Sequence, residues 1–346
     1  MTANRYQKNP IITIEQVRPS RSDFTVIGVF NCGVTKYKGQ TILLLRVAEN
    51  VKSIKNEVFV PLYSQQEGKI VVKAFDRANR SFNFSDPRFI VTPEQLYITS
   101  ISHIRLARSF DGINFEIDET PFITSSSKVD EFGVEDPRVT KIGNTYYINY
   151  SCISSSGVST CLARTKDFVN VEKLGIMFLP DNKDVAIFPK KIKGNYYILN
   201  RPVSAYFQKP EMWICKSKDL KAYYGYQLLL ELRKSHFDSD RLGASCVPFL
   251  TKYGWIEIYH GATKDDKYCL GAILLDKNDP TKVLKRSVKP IMEPITVYEK
   301  NGFKNNIIFS CGCNVEGDII HLYYGACDKS ICYATLSIEE IIAELV

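Results

Sequence analysis

The stretch TKIGNTYYINYS (140–151) joins a polar lead, a glycine turn and a tyrosine-rich strand, and it is one of five such copies. The others read TKYKGQTILLLRV (35–47), KKIKGNYYILNR (190–201), TKYGWIEIYHG (251–261) and NVEGDIIHLYYG (314–325). Their turn glycines are Gly39, Gly143, Gly194, Gly254 and Gly317, so after a first interval of 104 residues they recur every 51 to 63. A period of this length built on hairpins marks a propeller-like array. One such unit cannot bury its own apolar face, so neighbours must close a ring around a shared axis. Equivalent positions of every unit then converge on one central funnel. The expected fold is all-β, a single domain over residues 1–346. A short C-terminal helix is expected in SIEEIIAELV (337–346), the one segment with helical periodicity.

Working outward, residues 1–30 form a lead-in that reaches the first strand at VIGVFN, and residues 50–100 are the least regular stretch. The latter reads as an elaborated loop or added strands, which accounts for the long first interval. SFDGINF (109–115), RTKDFVN (164–170), SKDLKAY (217–223) and LDKNDPTKV (275–283) each place Asp in a turn after a strand. They read as the outer turns of successive blades.

Hydrophobic residues make up 45% of the chain and aromatics 12%, enough for a large buried core. No apolar run is long enough to span a bilayer, and MTANRYQKNP lacks the apolar region of a secretory signal. The ten cysteines are scattered through strand-like segments and read as reduced, buried thiols of a cytosolic protein. Cys311 and Cys313 have no second Cys or His pair at metal-site spacing, so no metal is expected. The net charge of +7 is dispersed and no nucleic-acid-binding signature is present, which disfavours a nucleic-acid partner. A modest positive excess does suit a small anionic substrate drawn into a funnel.

Two polar registers repeat. At the end of the second strand stand Arg46, Tyr150, Arg201, His260 and Tyr324; near the start of the first stand Asn31, Asp136, Asp184, Ser245 and Asn306. The sharpest segment is FGVEDPRVTKIGNTYYINY (132–150), where Asp136 lies between Val134 and Val139. A carboxyl beside an apolar wall can hold its proton and act as a general acid. The alternative is a structural turn closed by an Asp136–Arg138 ion pair. Strand alternation assigns neighbouring Glu135 to the opposite face. Lys183, Arg201, Arg241 and His260, with the phenol of Tyr268, form a set of cations that would repel one another around an axis unless an anion sat among them. Arginine's planar fork matches phosphate oxygens.

Over nearly its whole length the chain resembles glycoside hydrolase family 130, the inverting mannoside phosphorylases, with its nearest likeness to the enzymes acting on β-1,2-mannobiose and β-1,2-oligomannan. The resemblance is carried by FNCGV, LLLRVAE, SHIRLARSFDGINF, GVEDPRV, NKDVAIFPKKIKGNYYILNRP, GWIEIYHGAT, YCLGAILLDKNDPTKVLKRS, PIMEP, YEKNGF and YYGACD. It implies a five-bladed β-propeller, with Asp136 as the general acid acting through a hydroxyl of the mannose ring. Phosphate would then attack the anomeric carbon from the opposite face and yield α-mannose 1-phosphate. It implies that Asn31, Arg46 and Asp328 hold the mannose and that Arg46 also reaches the phosphate. Lys183, Arg201, Arg241, His260 and Tyr268 would cradle the phosphate, and Asp184 would orient the sugar or the cradle. The co-substrate would be inorganic phosphate and no cofactor is implied. The partners would be β-mannooligosaccharide and phosphate, without nucleic acid or membrane, and homo-oligomeric assembly stays open.

The sequence departs from the family pattern at Asn200, at Ser245 and Cys246, and at Cys32. If these residues face the acceptor side, they narrow it. Hydrolysis is the main alternative reading. The family's hydrolases carry glutamates where this chain has Arg201 and Arg241. A nucleotide-sugar-dependent mannosyltransferase lacks support from any glycine-rich phosphate loop or DxD motif. A sugar-binding propeller without activity would have no use for Asp136 beside a full set of cations.

Overall fold

The computed structural model describes residues 3–204 and 206–346, and they form five four-to-five-stranded antiparallel sheets arranged as the blades of a propeller. Blade 1 comprises Thr25–Tyr37, Gln40–Asn50, Ser100–Ser109 and Glu116–Ile117. Blade 2 comprises Val134–Ile142, Thr145–Ser154, Gly157–Thr165 and Glu172–Phe178, and blade 3 comprises Asn182–Ile187, Tyr196–Pro202, Met212–Ser217 and Tyr224–Leu230. In blade 4 the strands are Arg241–Ala244, Trp255–Ala262, Tyr268–Leu275 and Val283–Arg286, with Phe249–Leu250 added against the second. Blade 5 combines Ile308–Glu316, Ile319–Ala326 and Ser330–Ser337 with an outermost strand, Asn4–Arg5, from the other end of the chain.

The five repeated glycines all sit in the turn between a blade's first and second strands, each with positive φ (80°, 59°, 82°, 146° and 61°). That left-handed backbone is open to glycine at little cost, which is why the hairpin motif needs it. The long first interval comes from two extra hairpins, Glu57–Ser64 with Lys69–Asp76 and Phe89–Val91 with Leu96–Ile98, placed between the second and third strands of blade 1. The Asp turns fall between third and fourth strands, where Asp111, Asp167 and Asp219 each accept the backbone N–H groups two and three residues further on. The C-terminal helix, Ile338–Glu344, is capped by Ser337, whose hydroxyl accepts the N–H of Glu340. No helix among the described residues is long and apolar enough to cross a membrane.

Strand alternation sends each blade's apolar residues to both neighbours. In blade 1, Ile42 and Leu44 pack against blade 2, whereas Leu43, Leu45 and Val47 pack against blade 5. Five buried clusters thus fill the five seams between blades, and a sixth ties the inserted hairpins to blade 2 through Phe132 and Ile153. Burial of this two-sided kind is what a sheet inside a ring requires, since neither face meets water. All ten cysteines are free thiols, nine of them buried.

Ring closure depends on the short N-terminal strand. Asn4 and Arg5 pair with Thr335 and Ala334, and Arg5 Nε donates to Glu299 Oε1 at 2.7 Å while its Nη2 donates to the Glu293 carbonyl at 2.7 Å. Glu299 is fully buried and also accepts the Tyr324 hydroxyl at 2.9 Å. Removing one partner of a buried pair strands the other's charge. Arg5→Ala is therefore expected to lower unfolding free energy by about 3 kcal/mol. Urea unfolding checks this, and a change below a few tenths of a kcal/mol would show that the pair does not secure closure.

Candidate active site

The site begins with an irregularity in the first strand of each blade. The ladder shifts register between Phe30 and Gly33, between Glu135 and Arg138, between Lys183 and Ala186, and between Phe309 and Gly312. In blade 4, Ser245 N and Cys246 N share one acceptor, the Ile258 carbonyl, at 3.1 and 3.2 Å. These are β-bulges, which turn a strand and re-aim its side chains. In blades 1 to 3 the bulge residue is Asn31, Asp136 or Asp184, with φ of 50°, 49° and 53°. Asn and Asp are the non-glycine residues that tolerate this conformation best.

Five expectations are corrected by this geometry. Glu135 does not point away from Asp136, because the bulge cancels the alternation and both line the same cavity. In blade 5 the bulge falls at Ser310 and Cys311, so Asn306 lies outside the register. On the second strands, Arg46, Ser151, Arg201 and Gly325 pair with the residue just before each bulge and His260 pairs with Gly243 in blade 4, whereas Tyr150 and Tyr324 lie opposite the bulges of blades 2 and 5 and pack into the seams between blades. Asn200 likewise faces away from the cavity and bonds Asn182 at 3.2 Å. Cys32, Ser245 and Cys246 are fully buried and do not line the cavity, so their side chains do not narrow it. The suspected Asp136–Arg138 ion pair is absent as well. Arg138 donates to the backbone carbonyls of Ser245 at 2.9 Å, Ala244 at 2.6 Å and Asp136 at 3.3 Å, and approaches Asp184 Oδ1 at 3.4 Å.

The cavity, about 420 Å³, opens on the axis. Its acidic side draws on blades 1, 2 and 5. Oδ1 of Asp136 accepts from Asn31 Nδ2 at 2.9 Å and from Arg46 Nη1 at 3.0 Å, while Arg46 Nη2 donates to Glu135 Oε1 at 2.6 Å. The Arg46 guanidinium also stacks over the Phe30 ring at 4.5 Å. Asp328 completes this side with φ of 53°. Burial pushes the Glu135 carboxyl up, with Asp136 and Asp328 adding to the effect and Arg46 and Lys183 opposing it. Burial likewise raises Asp328, against the pull of Arg46 and Lys304.

The cationic side comes from blades 3 and 4. Arg201 Nη1 lies 2.8 Å from Asp184 Oδ2 and 3.2 Å from His260 Nε2, and the buried Arg201 Nε has no partner among the described residues. His260 stacks on Tyr268, and its Nδ1 lies 3.4 Å from Ser245 Oγ. Burial, helped by Arg201 and Arg138 and opposed by Asp184, lowers the His260 pKa. Burial works against the Asp184 carboxylate, yet Arg201, His260 and Arg138 together hold it well below the usual range. Lys183 lines the cavity beside Arg201. Arg241 does not line it; it stands behind Tyr268, whose hydroxyl accepts from Arg241 Nη1 at 3.0 Å. Burial raises the Tyr268 phenol despite Arg241 and Arg201.

Sequence reasoning missed the rim. Arg88 and Phe89 of the inserted hairpins and Phe303 and Lys304 before blade 5 line the cavity mouth. They lie in irregular stretches outside the repeat, where no spacing signal marks them. Among the described residues no group of His, Cys, Asp and Glu is arranged to hold a metal ion.

If Asp184 neutralises a crowded cation cluster, Asp184→Asn is expected to cost about 3 kcal/mol in phosphate-free buffer. Added phosphate should restore more stability to the variant than to wild type. Because the folded pKa of Asp184 is depressed, its contribution is present above the ordinary aspartate range and is lost as pH falls through the lower folded value. Thermal melts with and without phosphate check this, and an equal phosphate response in both proteins would contradict it.

Comparison with known proteins fits this arrangement. The model of glycoside hydrolase family 130, described as β-1,4-mannooligosaccharide phosphorylase, matches residues 87–345. A β-1,2-mannobiose phosphorylase of Listeria innocua is 45% identical over 100% of this chain and 99% of its own. A 1,2-β-oligomannan phosphorylase of Thermoanaerobacter sp. is 37% identical over 72% of this chain and 84% of its own. The solved structure of the Listeria innocua enzyme in complex with β-1,2-mannobiose superposes with a TM-score of 0.95, covering 99% of both chains. The chain belongs to glycoside hydrolase family 130, the mannoside phosphorylases.

Proposed function

We propose that this enzyme phosphorolyses β-1,2-linked mannobiose or short β-mannooligosaccharides, reversibly, to α-D-mannose 1-phosphate and a shortened sugar. The observation that carries the reading is the division of one cavity into a carboxyl side around Asp136 and a cation side around Arg201 and His260. The 45% identity to a β-1,2-mannobiose phosphorylase over the whole chain favours the β-1,2 linkage over the β-1,4 linkage in the family description.

Asp136 is the general acid. Asn31 and Arg46 both occupy Oδ1, so Oδ2 is the oxygen that carries the proton toward the sugar. Asn31, Arg46 and Asp328 hold the mannose, and the acid acts through a ring hydroxyl on the glycosidic oxygen. Phosphate sits against Arg201, His260, Tyr268 and Lys183, with Arg241 fixing the Tyr268 phenol and Asp184 fixing Arg201. The free Nε of buried Arg201 is a donor such an anion satisfies. A phosphate dianion is already nucleophilic, so the protein supplies position and charge rather than a base. This separates the site from inverting glycosidases, where a second carboxylate activates water. The hydrolytic reading needs carboxylates where Arg201 and Arg241 stand. Free thiols throughout the core fit a reducing compartment, and we place the enzyme in the cytosol.

Incubation with β-1,2-mannobiose should yield mannose 1-phosphate only when phosphate is present. Asp136→Asn should lower kcat by about a thousandfold or more. Arg201→Ala should act chiefly through the KM for phosphate. Chromatography of the products checks all three, and mannose released at the same rate without phosphate would overturn the assignment.

A further inference from the structure

The bulge that brings Asp136 into the cavity also brings Glu135, and no step of the reaction consumes a second acid on that side. We propose that Glu135 is a positioning residue for proton donation: it takes one arm of Arg46 so that the other arm, with Asn31, is fixed on Oδ1 of Asp136. This rests on the reading of Asp136 as the acid.

Adjacent residues of a regular strand face opposite ways, so two neighbouring carboxyls can share one guanidinium only where the strand is bulged. Here Arg46 is held at every polar atom: Nη2 by Glu135 at 2.6 Å, Nη1 by Asp136 at 3.0 Å, and Nε donating to Ser102 Oγ at 3.3 Å. The planar fork transmits this fixation, because its two Nη atoms cannot move independently. The side chains of Arg46 and Glu135 are 17% and 23% exposed, so water does little of the holding. Without Glu135, one arm of Arg46 would be free and the guanidinium could swing off Oδ1.

The test compares Glu135→Gln, Glu135→Asp and Asp136→Asn with wild type, measuring kcat and the KM for each substrate on β-1,2-mannobiose with phosphate. Glu135→Gln should lower kcat about tenfold to a hundredfold with the KM for phosphate nearly unchanged. Glu135→Asp keeps the carboxyl group but not the reach, so its kcat should fall in the same way. Wild-type kcat in both variants would overturn the proposal. So would a loss confined to the KM for the sugar, which would make Glu135 a sugar ligand only. If Asp136→Asn keeps its turnover, the acid has been misassigned and the proposal falls with it. An inactive Asp136→Asn beside unaltered Glu135 variants refutes the positioning role alone.

Discussion

The site depends on one backbone constraint: a left-handed bulge residue in the first strand of successive blades. A strand that ran regularly to the axis would send alternate side chains into the seams between blades, as Tyr150 and Tyr324 are sent. The bulges at Asn31, Asp136 and Asp184 turn those side chains into the funnel, at the cost of a conformation most residues avoid. They also break the ladder and leave carbonyls without strand partners. Arg138, almost fully buried, fills that role by donating to the carbonyls of Asp136, Ala244 and Ser245 while pairing with Asp184. One guanidinium thus joins the bulges of blades 2, 3 and 4. A buried cation of this kind is tolerated because every side of it is hydrogen-bonded or paired.

From that frame follows the separation of charge. Three carboxyl groups gather around Arg46, and burial holds Glu135 and Asp328 toward their protonated forms. On blades 3 and 4 the cations gather around Asp184, which stays ionised. A carboxyl cluster and a cation cluster are thereby kept within one cavity without neutralising each other. An enzyme that uses phosphate in place of activated water needs this division and little else from its side chains.

Much of this was legible in the sequence. The ring followed from five glycine turns, because only a hairpin needs glycine there at that interval. Asn31, Asp136 and Asp184 stood out as polar residues at equal positions in apolar strands. The second register was harder, since Tyr150 and Tyr324, opposite the bulges of blades 2 and 5, pack into the seams, whereas Arg46 and Arg201 pair with the residue just before the bulge and reach the cavity. Glu135 was misplaced for the same reason: alternation holds only for a regular strand. The rim residues Arg88, Phe89, Phe303 and Lys304 follow no repeat, and only the folded hairpins bring them to the mouth. Arg241 was placed at the cradle, but it does not line the cavity and instead donates to the Tyr268 hydroxyl.

The central claim is that phosphate, held by the cations of blades 3 and 4, attacks the anomeric carbon directly from the face opposite the bond that Asp136 helps to break. The most direct measurement is proton NMR of the sugar phosphate formed from β-1,2-mannobiose in the first turnovers. The account predicts α-mannose 1-phosphate with no β-anomer. A β-linked sugar phosphate would mean two displacements through a protein nucleophile and would contradict it.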